Sequence, residues 1–203
     1  WNSNAAKVIC ERLDRRYHLF TDWAHLGFDR YREGVAILSK HPLQQQEGRY
    51  VSPSQDPYSI HARKAVAAQV DAPYVGKINI FSTHLSWWSD GFREQFDTLA
   101  AWANSRHTGD VAGTLICGDF NIKAGSEGYV HIVQSSDYED QFLKWTDRKL
   151  FDRVFRHSKH WAEHRSAHWA DRLGEDGRID YIWLKRGSKL KPVAARRLFM
   201  DYD

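Results

Sequence analysis

Apolar residues recur along the chain at two periods, and the switches between them mark out the elements. In "NSNAAKVICERLDRR" (residues 2–16), Val8, Ile9 and Leu13 fall on one stripe at helical spacing, so the segment predicts an opening helix with Asn2 or Ser3 as N-cap. "YHLFTDWA" (17–24) and "REGVAILSK" (32–40) read as strands, the second stopped by Pro42. A polar, Pro-containing loop follows. "RKAVAAQVD" (63–71) and "KINIFSTHL" (77–85) predict two more strands, joined by a turn in "APYVG". The period then changes: in "GFREQFDTLAAWANSR" (91–106), Phe92, Phe96, Leu99 and Ala103 share one helical face. "TLICGDFN" (114–121) is a strand and "SEGYVHIVQ" (126–134) a short helix. The polar, aromatic stretch 137–175 mixes helix and loop, "GRIDYIWLK" (177–185) is a strand, and "AARRLFM" (194–200) a weaker one.

Helices thus interrupt groups of strands, which predicts an α/β fold of mixed sheets covered by helices. The 203 residues suit one domain, 1–203, and 42% hydrophobic with 27% charged residues is an ordinary globular balance. A net charge of +3 is compatible with an anionic substrate and too weak to announce nucleic acid. The two cysteines, Cys10 and Cys117, sit in apolar patterns and read as buried thiols rather than a disulfide framework. No apolar run approaches a membrane span, so a soluble protein is expected, its compartment open with the cytoplasm favoured.

Chemistry-bearing residues gather where strands end. His84 closes "INIFSTH", Asp119 and Asn121 close "TLICGDFN", and Asp180 lies in "GRIDYIW". In extended chain Asp119 and Asn121 point to one side and Phe120 to the other. Taken singly each is ordinary turn chemistry, and Asp180 could pair with Arg178. Taken together they describe a hydrolytic site built from loops at one sheet edge.

"FSTHL", "GDFN" and "RIDYIWL", in this order and at these separations, resemble the endonuclease/exonuclease/phosphatase (DNase I-like) superfamily of metal-dependent phosphoesterases, and "EGVAILSKHPL" (33–43) resembles its early strand. The resemblance implies a four-layer α/β/β/α sandwich of two mixed β-sheets flanked by helices. It implies that Asp119 orients the attacking water and accepts its proton, that Asn121 contacts phosphate and metal, that His84 donates to a phosphoryl oxygen, and that Asp180 orients a further histidine. Magnesium, or alternatively manganese, is the implied metal, held by Asp119 and Asn121. The family opens with an Asn-bearing strand and a Gln-Glu pair and closes with Ser-Asp-His. The sequence starts at Trp1, has its sole methionine at Met200 and stops at Asp203, so a partial domain without those blocks is expected.

The Thr-His-Leu-x-Trp-Trp pattern, with "HLGFDRYREGVAILS" and "GSEGY", is most similar to the bacterial branch containing maltose-phosphate phosphatase, which implies a small phosphorylated substrate such as a sugar phosphate. Trp87 and Trp88 are then substrate-binding candidates: indole faces stack on sugar rings, with one of the two expected in the core. Arg63, with Lys64 beside it, could add a phosphate-binding cation, against the simpler reading of a solvated strand edge. His157, His160, His164 and His168 recur at intervals that could line one helix face, but no Cys lies nearby and the order is not HExxH, so a wet surface segment is the better reading. Lys185, Arg186, Lys189, Lys191, Arg196 and Arg197 read first as solvated edges. A nuclease would need a continuous basic groove and a sphingomyelinase-like phosphodiesterase an exposed aromatic hairpin; neither is legible in the sequence, so nucleic acid and lipid rank below a small substrate. A non-catalytic binding module with the same fold is the reading of another class.

Overall fold

A computed structural model describes residues 4–13, 16–156 and 177–196. In chain order the elements are α1 (Ala5–Arg12), β1 (His18–Gly27), β2 (Tyr31–Ser39), β3 (Leu43–Tyr50), β4 (Lys64–Ala72), β5 (Gly76–His84), α2 (Phe92–Ser105), β6 (Val111–Asp119), α3 (Glu127–Ser135), β7 (Tyr138–Asp140), α4 (Gln141–Thr146), α5 (Arg148–Arg156) and β8 (Asp180–Lys185). A six-stranded sheet runs β3-β4-β5-β6-β8-β7, and β1 and β2 form a separate antiparallel pair. The large sheet is mixed: β5 and β6 are parallel and its other neighbours antiparallel. A parallel pair needs a crossover, and α2 supplies it.

Alternation along the strands assigns each face. Phe81, Ile116, Phe120, Tyr181 and Trp183 point to one side and are buried against Phe92, Phe96, Leu99 and Ala103 of α2 and Tyr129 and Ile132 of α3. Val66, Ala68, Val70 and Ile80 point to the other, where Phe20, Val35 and Ile37 of the β1–β2 hairpin cover them. With α1 against that hairpin, the layers are helix, sheet, sheet, helix. The second sheet is two antiparallel strands rather than a mixed sheet.

Several local expectations are corrected. The N-cap of α1 is Asn4, whose Oδ1 accepts from the Lys7 N–H at 3.1 Å. Its stripe is not buried: Ile9 is 55% exposed, because the helix meets only one two-stranded sheet among the described residues. The segment read as a polar loop contains β3, an edge strand whose glutamines face solvent; a bulge between Gln44 and Glu47 and the left-handed Gln45 (φ +48) interrupt its pairing with β4. Polar side chains and bulges are what edges use to avoid further pairing, so the apolar alternation that betrays a strand is missing there. Residues 191–196 have no regular structure, and the rest of "AARRLFM" lies outside the described residues. Cys117 is half-buried by surface rather than fully enclosed, and desolvation pushes its thiol up to about 12. Cys10 is half-buried, its Sγ 3.5 Å from the Tyr17 carbonyl.

Candidate active site

Register brings the strand-end residues together. His84 on β5 lies opposite Asp119 on β6, and Asp119 lies opposite Asp180 on β8, so the three stand in a row across adjacent strands. Their side chains share the face away from Phe120, which is fully buried among the helices. The backbone knits the row beyond the ladder: Leu85 N–H donates to the Asp119 carbonyl at 3.0 Å and Phe120 N–H to the Ile179 carbonyl at 2.9 Å. Gly118 permits this closeness, since its φ is +134° and a Cβ there would overlap the Thr83 carbonyl oxygen.

Asn121 takes the left-handed conformation (φ +51), which turns it back over the strand end. Its N–H donates to Asp119 Oδ1 at 2.8 Å, and its Nδ2 donates to the Leu85 carbonyl at 2.8 Å. Asn121 Oδ1 accepts no hydrogen bond among the described residues. Asp119 Oδ2 faces His84 Nε2 at 3.8 Å.

The electrostatics follow from this crowding. Burial lowers the His84 pKa below the ordinary imidazole value, and Arg63 adds to the effect against the pull of Asp119 and Glu33. His84 is therefore neutral at neutral pH, and a neutral imidazole still donates one N–H. Burial raises the Asp180 pKa, the neighbouring Asp119 charge raises it further, and His84 opposes. Arg178 does not partner Asp180; its guanidinium grips Asp140 at 2.7 and 3.2 Å.

The remaining candidates separate. Arg63, just before β4, lines the same small cavity as His84, but as a buried cation, only 5% exposed, rather than a solvated edge. Its Nε donates to Ser86 Oγ at 3.2 Å, and burial lowers its pKa against Glu33, Asp119 and Asp90. Lys64, in phase with Val66 and Ala68 on the hairpin side of the sheet, is tied up by Asp22 of β1 at 2.8 Å. Trp87, three residues past His84, is 51% exposed, while Trp88 packs against Phe92 and His131. Lys185 bonds Asn104 and Arg186 pairs with Glu139 at the end of β8 far from Asp180, whereas Lys191 and Arg196 line a cleft that also takes in Asp180. The His157, His160, His164 and His168 stretch and Arg197 lie outside the described residues.

Sequence reasoning missed Glu33 and His25. Glu33 shares the inward phase of Val35 and Ile37 on β2, and a charge in phase with an apolar face is the signal that could have found it. His25 is buried where a bulge between Trp23 and His25 turns it inward. Its Nδ1–H donates to the Ala62 carbonyl at 2.8 Å, and its Nε2 meets Glu33 Oε2 at 3.2 Å.

Among the described residues no group of three or more His, Cys, Asp or Glu converges on one ion position. Asp119 and Asp180 carboxylates with the Asn121 amide oxygen nevertheless form an oxygen-only donor set, and two adjacent carboxylates hold charge that a cation would offset. Magnesium, which keeps waters and takes phosphate oxygens beside one or two carboxylates, fits such a set.

No curated protein matches the sequence at a significant level. Among solved structures, an endonuclease/exonuclease/phosphatase family protein from Leptotrichia buccalis is similar with a TM-score of 0.65 and 22% identity, over 90% of this chain and 66% of its own. The human Nocturnin catalytic domain with bound sulfate matches at TM-score 0.60 and 17% identity, over 90% and 65%. A mannosyl-6-phosphatase from Bacteroides thetaiotaomicron matches at 0.58 and 14%, over 90% and 67%. The chain thus spans about two thirds of the length of these structures. With the family model matching residues 2–202, and the layered sheets consistent with its fold, the chain belongs to the Endonuclease/Exonuclease/phosphatase family.

Proposed function

We propose that this chain carries the catalytic face of a magnesium-dependent phosphoesterase that hydrolyses a small phosphorylated substrate, a sugar phosphate, by in-line attack of water. The observation that carries the reading is the row of His84, Asp119 and Asp180 across three strand ends. The similarity in fold to a sugar phosphatase supports the substrate class.

In this reading Asp119, braced through Oδ1 by the Asn121 N–H, holds the attacking water with Oδ2 and takes its proton. The water oxygen bonds to phosphorus as the ester oxygen leaves, and negative charge gathers on the non-bridging oxygens. His84 donates one N–H to a non-bridging oxygen, and Arg63, already desolvated, acts as the phosphate clamp. A magnesium ion (or manganese) held by Asp119 and Asn121 would offset phosphoryl charge when bound. Asp180 orients the imidazole of the Ser-Asp-His block that the family resemblance implies. Trp87, exposed three residues past His84, offers its indole face to the sugar.

The test is phosphate release by the full-length protein from sugar phosphates, lipid vesicles and DNA. Chelation should abolish release and magnesium restore it. Asp119→Asn should lower turnover by about 10²–10⁴-fold, and His84→Ala by about 10²–10³-fold. Undiminished activity in chelator, or near-wild-type turnover in Asp119→Asn, refutes the mechanism. One observation favours a second reading, a lipid phosphodiesterase: the β1–β2 hairpin ends in Phe28, 88% exposed, beside exposed Tyr31. Aromatic tips of this kind suit a membrane interface, and activity confined to vesicles would select it.

A further inference from the structure

We propose that Gln95 is a positioning residue that acts through Ser86, setting the Arg63 guanidinium and the Asn121 amide from behind the site without touching substrate. The inference rests on the reading of Arg63 and Asn121 as phosphate-site residues.

Gln95 belongs to the first turns of α2 and is 1% exposed, in a face otherwise filled by Phe92, Phe96 and Leu99. A primary amide in such surroundings is costly unless both ends are bonded. Gln95 satisfies both on one residue of the loop after β5: its Oε1 accepts from the Ser86 N–H at 2.9 Å, and its Nε2 donates to Ser86 Oγ at 3.1 Å. This two-point grip fixes the Ser86 backbone and the direction of its hydroxyl together.

Two groups of the site hang from the gripped loop. Ser86 Oγ accepts from Arg63 Nε at 3.2 Å, the hydrogen bond that aims the guanidinium. One residue earlier, the Leu85 carbonyl accepts from Asn121 Nδ2 at 2.8 Å. Gln95, Ser86 and Arg63 are all buried, so no water can substitute for a lost bond without opening the core. A misplacement of about 1 Å at reacting groups costs on the order of 10²-fold, which is the scale available to such a brace.

The experiment uses the full-length protein, with a small aryl phosphate as substrate and inorganic phosphate as competitive inhibitor. Ser86→Ala removes the hydroxyl between Gln95 and Arg63 and leaves the Gln95 bond to the Ser86 N–H, so it tests the brace without emptying the core. Gln95→Met removes both bonds to Ser86, and a longer one to the Asp90 carbonyl at 3.4 Å, at similar volume. Each should weaken inhibition by phosphate and lower kcat/KM by about 10–10²-fold. In an Arg63→Ala background Ser86→Ala should have little further effect on phosphate inhibition, because residues acting through one another are not additive. Full additivity overturns the inference while leaving Arg63 as clamp, since Arg63→Ala alone would still weaken phosphate. An Arg63→Ala variant with unchanged phosphate inhibition overturns the clamp and the inference with it.

Discussion

Replacing Gly118 by alanine should damage both stability and chemistry, for separable reasons. The residue lies between Cys117 and Asp119 with φ at +134°, in a region that L side chains seldom enter. Holding alanine there costs about 1–3 kcal/mol. A Cβ would also overlap the Thr83 carbonyl oxygen and stand 3.0 Å from its carbon and 3.1 Å from its nitrogen, all backbone atoms that cannot rotate away. Relief requires β5 and β6 to part at their ends, an overpacking cost of about 1–3 kcal/mol. The sum is about 4 kcal/mol, or roughly 8–16 °C in Tm for a domain of this size. Parting the strands also moves His84 from Asp119, so kcat/KM should fall by about 10²-fold. Gly187→Ala is the control: its φ is +78° but nothing lies within 4 Å of the added carbon, so it reports backbone strain alone, at about 1–2 kcal/mol. Thermal melts and phosphate release on both variants decide the matter. A Gly118→Ala protein that melts with Gly187→Ala and keeps wild-type turnover would show that close strand approach does not set the site.

Asp180→Asn should raise Tm slightly at neutral pH, because Asp180, exposed but partly desolvated beside Asp119, has a raised folded pKa and is mildly unfavourable once ionised. The gain should fade as pH falls through the carboxylate range, where Asp180 is protonated in both states; a gain that grows on acidification refutes this. Cys117, half-buried with its thiol pushed up to about 12, should react with iodoacetamide at pH 8 much more slowly than a free thiol until the protein unfolds, so native-state labelling at the free-thiol rate contradicts the desolvated thiol. Trp87→Ala should raise KM for a disaccharide phosphate and leave a small aryl phosphate nearly unchanged. Trp88→Ala, which strips contacts to Phe92 and His131, should instead lower stability by about 2 kcal/mol with both KM values intact; the reverse assignment in melts and kinetics exchanges their roles.

The exposed Phe28–Tyr31 hairpin could not be foreseen from "GFDRYREG", whose aromatic residues are equally suited to packing. Arg63 shows the same ambiguity in reverse. At the start of "RKAVAAQVD" it reads as a solvated edge, yet Ser86 and the carboxylates around it hold it in the interior, while its neighbour Lys64 pairs with Asp22 of β1.

Local order sufficed for much of the architecture. Period-2 alternation in 77–85 and 114–121 and period-3.6 spacing in 91–106 define elements by themselves, and they mark His84, Asp119 and Asn121 as strand-end residues. Such patterns say which side of an element is apolar and nothing of what stands opposite. The row of His84, Asp119 and Asp180 comes from register across β5, β6 and β8. The left-handed Asn121, the strand status of the polar β3, the exposure of α1 and the grip of Gln95 on Ser86 likewise depend on partners distant in sequence. Those contacts form only once α2 has carried the chain from β5 to its parallel neighbour β6, because a parallel pair cannot be closed by a local turn.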